Sequence, residues 1–439
     1  MANRIYLCLA HMSEAGLEQK YIQEAFDTNW VAPLGPNVNG FEEDLKAFVG
    51  QGKEVVALTT GTAAVHLSLI ACGVEPGDEV ITQSFTFCAS AHPVTYLGAT
   101  PVFVDSEKET WNMDPDLLEE AIKDRIAKTG KKPKVIMPVA LYGMPYQIDR
   151  ILEIANRYDI PVVEDAAEGF GSRYDGQVLG TFGRYGILSF NGNKMITTSG
   201  GGALICPNKE EGDRVMWYAT QARESYPYYQ HETIGYNYRM SNICAGIGRG
   251  QMTIVNEHIA HHQHVHQLYV ELFSKIDGIE VHSQPANGRY ASNYWLTSIT
   301  IDENLKIKGQ ENAYKNIITS PVGGVPAVIH AASSARTDCQ PNDNVEALRM
   351  ALEKAGIESR PLWKPMHKQP VYCRTNEKLG MRNEELSHGI IRQTSATSVA
   401  YVNGVSENIF KKGMCLPAGP WVKDEDVKRI VETIKANII

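Results

Sequence analysis

The stretch Val162-Val163-Glu164-Asp165-Ala166-Ala167-Glu168 carries the reading of the fold. Its valines follow Pro161 and mark a short buried strand, and the strand ends in acidic side chains. In a parallel sheet, ligands sit beyond the carboxyl ends of the strands, which directs Asp165 toward a site. Taken alone, that carboxylate suits a ribose, a metal or a ring nitrogen, or simply caps the next helix.

Similar short apolar runs lie on either side: Val55 to Leu58, Glu79 to Thr82, Pro101 to Val104, Val135 to Leu141, and Gly186 to Phe190. Helical signals separate them. Asp114-Pro115-Asp116, for example, precedes Leu117, Leu118, Ala121 and Ile122, which are spaced for one buried face. Alternation of this kind predicts an α/β architecture with a mostly parallel sheet between layers of helices, over residues 1–255. A polar helix near Asn256 to Tyr269, a strand within Tyr294 to Ile301, a helix at Val345 to Lys354 and a last helix from Asp424 predict a smaller α+β unit over 256–439. Within it, residues 308–344 are rich in Gly, Pro, Ser and Ala with weak periodicity, and read as an insertion.

The chain has 439 residues, 42 Lys and Arg against 51 Asp and Glu, and a formal net charge of -9. That balance argues against a general nucleic-acid binder and leaves a small-molecule substrate as the default. Its eight cysteines are scattered with no C-x-x-C pair, so no zinc or redox motif is present. The apolar run Ile5 to Ala10 is too short for a signal-peptide core, and no later run reaches membrane-spanning length, which places the protein in the cytoplasm.

Two further stretches carry chemistry. Thr59-Thr60-Gly61-Thr62 follows a strand and opens a helix, where unpaired N–H groups and the dipole favour a phosphate; the plainer reading is a capped turn. Ser189-Phe190-Asn191-Gly192-Asn193-Lys194 delivers a serine and a lysine ahead of the glycine turn Thr198-Ser199-Gly200-Gly201-Gly202. A lysine beside glycines is usually a solvated charge. Together, however, Gly61, Thr62 and Ser189 on a phosphate, Asp165 on a pyridine nitrogen and Lys194 as an imine-forming amine match what pyridoxal 5'-phosphate requires.

Gly77-Asp78-Glu79-Val80, Ser84-Phe85-Thr86-Phe87, Leu97 to Asp105 and Gly235-Tyr236-Asn237-Tyr238-Arg239-Met240-Ser241 add a resemblance over nearly the whole chain. The sequence resembles the sugar aminotransferases of the DegT/DnrJ/EryC1/StrS family, which have the type I fold of pyridoxal phosphate enzymes, with a large domain built on a seven-stranded sheet. The resemblance implies that Lys194 is the Schiff-base lysine, Asp165 the partner of the ring nitrogen, and Phe87 the aromatic stacked on the ring. It puts Glu168 near the ring oxygen, Gly61, Thr62 and Ser189 on the phosphate, and Asn237 on the phosphate of the neighbouring subunit of a homodimer. Asn29, Trp30, Arg223, Trp363, Lys364 and His367 become candidate sugar or pyrophosphate contacts. The Asn-Gly-Asn-Lys context, Glu168 and the run Leu362 to His367 resemble most the enzymes that aminate 4-keto-6-deoxy sugars carried on UDP or GDP, with glutamate as donor. A UDP-linked 2-acetamido-4-keto sugar is the preferred substrate.

Other readings compete with this one. His258, His262 and His266 fall on one helical stripe, but no H-E-x-x-H pattern and no acidic partner accompany them, so no metal is assigned and a solvated or interface face is expected. No G-x-G-x-x-G follows the first strand, which argues against a nicotinamide enzyme. A 3-keto sugar nucleotide is the alternative substrate, and a non-catalytic regulator that keeps the cofactor fold is the non-enzymatic alternative.

Overall fold

A computed structural model describes residues 4–314, 339–373, 383–385, 390–395 and 398–439. The expected insertion at 308–344 therefore lies largely outside the described residues.

Among the described residues, seven strands from the first half of the chain form the body of the central sheet: β1 (Glu54–Leu58), β2 (Glu79–Gln83), β3 (Thr100–Val104), β4 (Val135–Met137), β5 (Val163–Asp165), β6 (Tyr185–Ser189) and β7 (Gly202–Cys206). Their order is β1-β7-β6-β5 on one side and β4-β2-β3 on the other. Parallel bridges Ile136 to Val162 and Val139 to Asp165 join the two halves. The pairings of β5 with β6 and of β2 with β3 and β4 are parallel, whereas β7 runs antiparallel to both β1 and β6. β7 was not foreseen, because its five residues follow directly on a glycine turn. Its direction matters: the start of β7 lies at the same edge as the carboxyl ends of β1, β5 and β6.

Helices cover the sheet for reasons visible in sequence. The helix Pro115–Thr129 begins where Asp114 accepts the N–H groups of Asp116 and Leu117, and it buries Leu117, Leu118, Ala121 and Ile122 as expected. The helix Gly61–Ala71 is apolar on most of its circumference and is buried nearly all round, between the sheet and the helix Lys209–Ala219. No helix among the described residues is long and apolar enough to cross a membrane.

The expected division at residue 255 does not follow the packing. A second core gathers Val265, Tyr269, Ile299, Leu348 and Ile430 around the sheet formed by Ile279–Val281, Thr297–Ile301, Gly413–Leu416 and Arg360–Pro361, but it also takes in Ile5 from the N-terminal end. In the opposite direction, the strand Ser398–Val402 leaves the C-terminal half and pairs in parallel with β3. Both exchanges are long-range contacts made by short apolar segments whose sequence does not name a partner.

The histidine stripe also departs from expectation. His258, His262 and His266 lie in the helix Val255–Phe273 and are buried, not solvated. Among the described residues no group of three or more His, Cys, Asp or Glu is placed to hold a metal. Burial lowers the pKa of His258, takes His262 to about 3 and His266 to about 4, and does the same to His282, which stacks on Trp111 and falls to about 3. The folded protein keeps these rings neutral, whereas the unfolded chain protonates them below about pH 6.5. Their contribution is therefore complete above that pH and is lost as pH falls from 6.5 toward 4. The urea midpoint is expected to drop steadily across this window, and a flat profile would show that the rings are solvated.

Candidate active site

Five strand ends and one strand start converge on a single cavity of about 300 Å³. Thr60, Gly61 and Thr62 follow β1, Thr86, Phe87 and Ser90 follow β2, Val139 follows β4, Asp165 and Glu168 end or follow β5, Ser189 and Lys194 end or follow β6, and Gly200 and Gly201 precede β7. Every residue expected to bind cofactor within one chain is thus brought to one place.

One wall is shaped for an anion. Thr60 caps the helix Gly61–Ala71 by accepting the Ala63 N–H at 2.9 Å, while the first N–H groups, on Gly61 and Thr62, have no acceptor within a helix and line the cavity. A side chain would close this cradle. A Cβ on Gly202 would lie 2.4 Å from the Gly61 nitrogen and 2.7 Å from the Thr60 oxygen, and one on Gly61 would press on Ser189 at 3.1 Å. This glycine-lined helix terminus, with the Ser189 hydroxyl beside it, fits a phosphate group.

The cavity also holds two buried acids. Asp165 accepts the Ser90 hydroxyl at 2.6 Å on Oδ2 and the Ala167 N–H at 3.1 Å on Oδ1, and Ser90 is 2.8 Å from the Thr86 hydroxyl. Burial raises the Asp165 pKa, opposed chiefly by the Ser90 hydrogen bond. Glu168 is likewise raised by burial and held back mainly by the charge of Lys194. Its Oε2 accepts the Tyr142 N–H at 2.8 Å, and its Oε1 lies 3.4 Å from Lys194 Nζ. The Lys194 ammonium also sits 3.9 Å from the centroid of the Trp295 ring. A buried carboxylate for a ring nitrogen, an amine and an anion cradle lining one cavity fit pyridoxal phosphate.

A second hollow of about 320 Å³ opens beside the first and shares Thr86, Phe87 and Trp363 with it, adding Cys88, His92, Lys364 and Gln369. Phe87 is 48% exposed, with its ring centroid 5.3 Å from that of Trp363. Trp363 stacks in turn on Tyr142 at 6.0 Å, and its backbone N–H donates to the Tyr142 hydroxyl at 2.7 Å.

Of the six expected substrate contacts, Trp363 and Lys364 therefore border the site. His367 does not: its side chain is fully buried, with Nδ1 2.6 Å from the Ser84 hydroxyl and Nε2 3.0 Å from Glu407. It braces the Ser84–Phe87 segment from behind, through its hydrogen bonds with Ser84. Asn29, Trp30 and Arg223 are exposed and lie outside the cavity of their own chain, Arg223 resting 4.1 Å above the Tyr229 ring. Asn237 is exposed too and does not line it. Sequence reasoning missed Ser90 and Trp295. The hydroxyl spacing of Thr86 and Ser90 was a local hint for the first, while nothing marks Trp295, about 100 residues beyond Lys194.

The family model described as the DegT/DnrJ/EryC1/StrS aminotransferase family matches residues 13–319. The chain belongs to this family. It is 40% identical over 434 residues, 99% of this chain and 96% of the relative, to EpsN of Bacillus subtilis, which is named as a pyridoxal phosphate-dependent aminotransferase. It is 31% identical to the GDP-perosamine synthase of Escherichia coli O157:H7, covering 98% of both chains. A crystal structure of a DegT DnrJ EryC1 StrS aminotransferase from Brucella abortus superposes with a TM-score of 0.76 at 26% identity, over 96% of this chain and 95% of that one. The DegT-family chain is thus a pyridoxal phosphate-dependent sugar aminotransferase with the type I fold. When bound, the cofactor supplies an aldehyde that a lysine amine can engage and a ring that takes up an electron pair.

Proposed function

We propose that this enzyme moves an amino group from glutamate to C4 of a nucleotide-linked 4-keto-6-deoxy sugar, in the cytoplasm, for a surface glycan or capsule. The observation that carries the reading is the end-to-end likeness to a GDP-perosamine synthase, because perosamine is itself a 4-amino-4,6-dideoxy sugar. The cavity supports it. Lys194 holds and moves the proton between donor carbon and cofactor, being the only side-chain amine among the cavity-lining residues of the described chain. Asp165 keeps the ring nitrogen charged, Phe87 covers the ring face, Glu168 sits at the ring oxygen, and Gly61, Thr62 and Ser189 take the phosphate. The hollow beside Phe87 extends toward Trp363 and Lys364, an aromatic surface and a cation suited to a nucleotide diphosphate. The protein works as a homodimer in this reading, since Asn237 is exposed and stands off its own cavity, as a residue serving the neighbour's phosphate would.

The test is a two-stage incubation. Glutamate should first convert the bound cofactor to its pyridoxamine form, read by absorbance. UDP-2-acetamido-4-keto-2,6-dideoxyhexose, GDP-4-keto-6-deoxyhexose and 3-keto sugar nucleotides are then compared, with the product identified by mass and NMR. A 4-amino product from either 4-keto sugar is the expected outcome. Fastest turnover of a 3-keto sugar would overturn the regiochemistry, and failure of every donor to change the cofactor would leave a binding protein.

A further inference from the structure

The lysine sits in an irregular segment. Between Phe190 and Gly202 no strand or helix holds the backbone, and Asn191, Gly192 and Asn193 are exposed. Within the segment, the Lys194 N–H donates to the Asn191 carbonyl at 3.0 Å. Such a loop leaves an amine free to wander unless something outside it supplies order.

The order comes from the C-terminal half. Trp295 Nε1–H donates to the carbonyl of Asn193 at 2.6 Å, and His258 Nδ1 lies 3.1 Å from the carbonyl of Met195. The peptide carbonyls on both sides of Lys194 are thus gripped by side chains from distant segments. One turn along the same helix, His262 Nδ1 is 3.2 Å from the carbonyl of Tyr294, so it steadies the segment that carries Trp295. Tyr294 has a left-handed φ of 46°, a conformation that a bulky residue keeps only when its surroundings impose it. Next in line, Asn293 Oδ1 accepts the Trp295 N–H at 2.9 Å, and its Nδ2 donates to the carbonyls of Glu168 at 2.9 Å and Phe170 at 3.0 Å. The ring of Trp295 then forms the floor under Lys194 Nζ, which also meets Glu168.

Carbonyl oxygens only accept, so both histidines must carry their proton on Nδ1. In each, Nε2 is buried without a hydrogen-bond partner among the described residues, so the ring's hydrogen bonding runs through Nδ1 toward the Lys194 and Trp295 segments. We infer that His258, His262 and Trp295 form a bracket that sets the position of the Lys194 amine: they are positioning residues for the amine. The inference rests on Lys194 being the cofactor lysine.

Covalent capture of cofactor reads the bracket directly. The lysine nitrogen bonds the aldehyde carbon of pyridoxal phosphate and the aldehyde oxygen leaves as water, so the rate depends on where the amine stands. Full-length protein freed of cofactor is mixed with pyridoxal phosphate, and capture is followed by absorbance and by the reduced adduct mass. The Kd of pyridoxamine 5'-phosphate, which forms no such bond, reports the phosphate cradle separately. Trp295→Leu and His258→Leu are expected to slow capture by about tenfold or more, because displacing a reacting group by an ångström costs up to about 100-fold; His258→Leu, outside the cavity wall, should leave pyridoxamine phosphate affinity unchanged, and Trp295→Leu should lose far less affinity than rate. His258→Asn, which can present an N–H near the position of Nδ1, and Trp295→Phe, which keeps the aromatic floor, should recover part of the rate and retain the fold. Unchanged capture in all four variants, or a loss of pyridoxamine phosphate affinity equal to the loss of rate, would overturn the bracket. Lys194→Arg separates the two readings: covalent capture that survives in that variant sinks the function proposed for Lys194 itself.

Discussion

Lys194→Ala is expected to abolish amine transfer, with kcat at least about 10⁴-fold below the parent, the upper range for losing a positioned acid–base group, before the lost covalent attachment is counted. The variant should still fold. Lys194 lies in an irregular segment whose neighbours Met195 and Ile196 carry the packing, and its own charge is offset by Glu168 alone among the ion pairs described. Cofactor should still enter, because the Gly61–Thr62 cradle and Ser189 do not touch the lysine. Reduction with borohydride followed by peptide mass analysis should then find no adduct, whereas the parent protein should carry one on Lys194. An adduct on another lysine, or turnover within tenfold of the parent, would remove Lys194 from the centre of the site. Glu168 deserves the same scrutiny in that variant, since without the ammonium its buried carboxyl loses the charge that most opposes protonation.

The second large effect has two signs. Asp165→Asn should lower kcat by about 10²–10³-fold, the cost of losing one preorganised charge at a reacting centre, because an amide cannot keep a ring nitrogen protonated. The same substitution should raise the melting temperature of the cofactor-free protein. Burial raises the Asp165 pKa, so ionising it in the fold is unfavourable, and stability falls as pH rises from the unfolded carboxylate value through the raised folded one. Asparagine has no such cost. Its Nδ2–H can donate to Ser90, whose hydroxyl then turns to Thr86, and its Oδ1 can keep the Ala167 N–H, so no buried polar atom is left unpaired. Activity and apo stability should therefore move in opposite directions, as at other sites where function is held against stability. Calorimetry of both cofactor-free proteins from pH 5 to 8 reads the second sign, and a less stable variant throughout would show that Asp165 is part of the scaffold only.

Much of the site was legible because its chemistry rides on strand ends. A run such as Val162 to Asp165 declares both its burial and its direction through β-branched residues and a terminal acid, and the sheet rule then sends Asp165, Ser189 and the Gly61–Thr62 turn to one edge. The parts that failed were those whose partners are remote. His367 read as a substrate contact because a polar ring follows Trp363 and Lys364, yet it lies buried against Ser84 and Glu407. Glu407 itself works against burial, but the hydrogen bond and charge of His367, with Lys368, hold it at about 2, so that network is complete without a ligand. The histidine stripe has the periodicity of a face, and periodicity alone cannot say whether the face meets water or a carbonyl.

By itself, the sequence determined the α/β class and the strand runs that end at the cavity, and it singled out Lys194, Asp165 and the Gly61–Thr62 turn that the fold then gathers around that cavity, because these depend on local patterning and on residue chemistry. Only the tertiary structure decided that β7 runs antiparallel and brings Gly200 and Gly201 to the same edge, that Ser398–Val402 joins the large sheet, that Ser90 holds Asp165, and that Trp295 and His258 grip the backbone on both sides of Lys194. These are contacts between segments far apart in the chain. Their hydrogen bonds and packing are chosen by the whole fold when it closes, and no short stretch of sequence contains both partners.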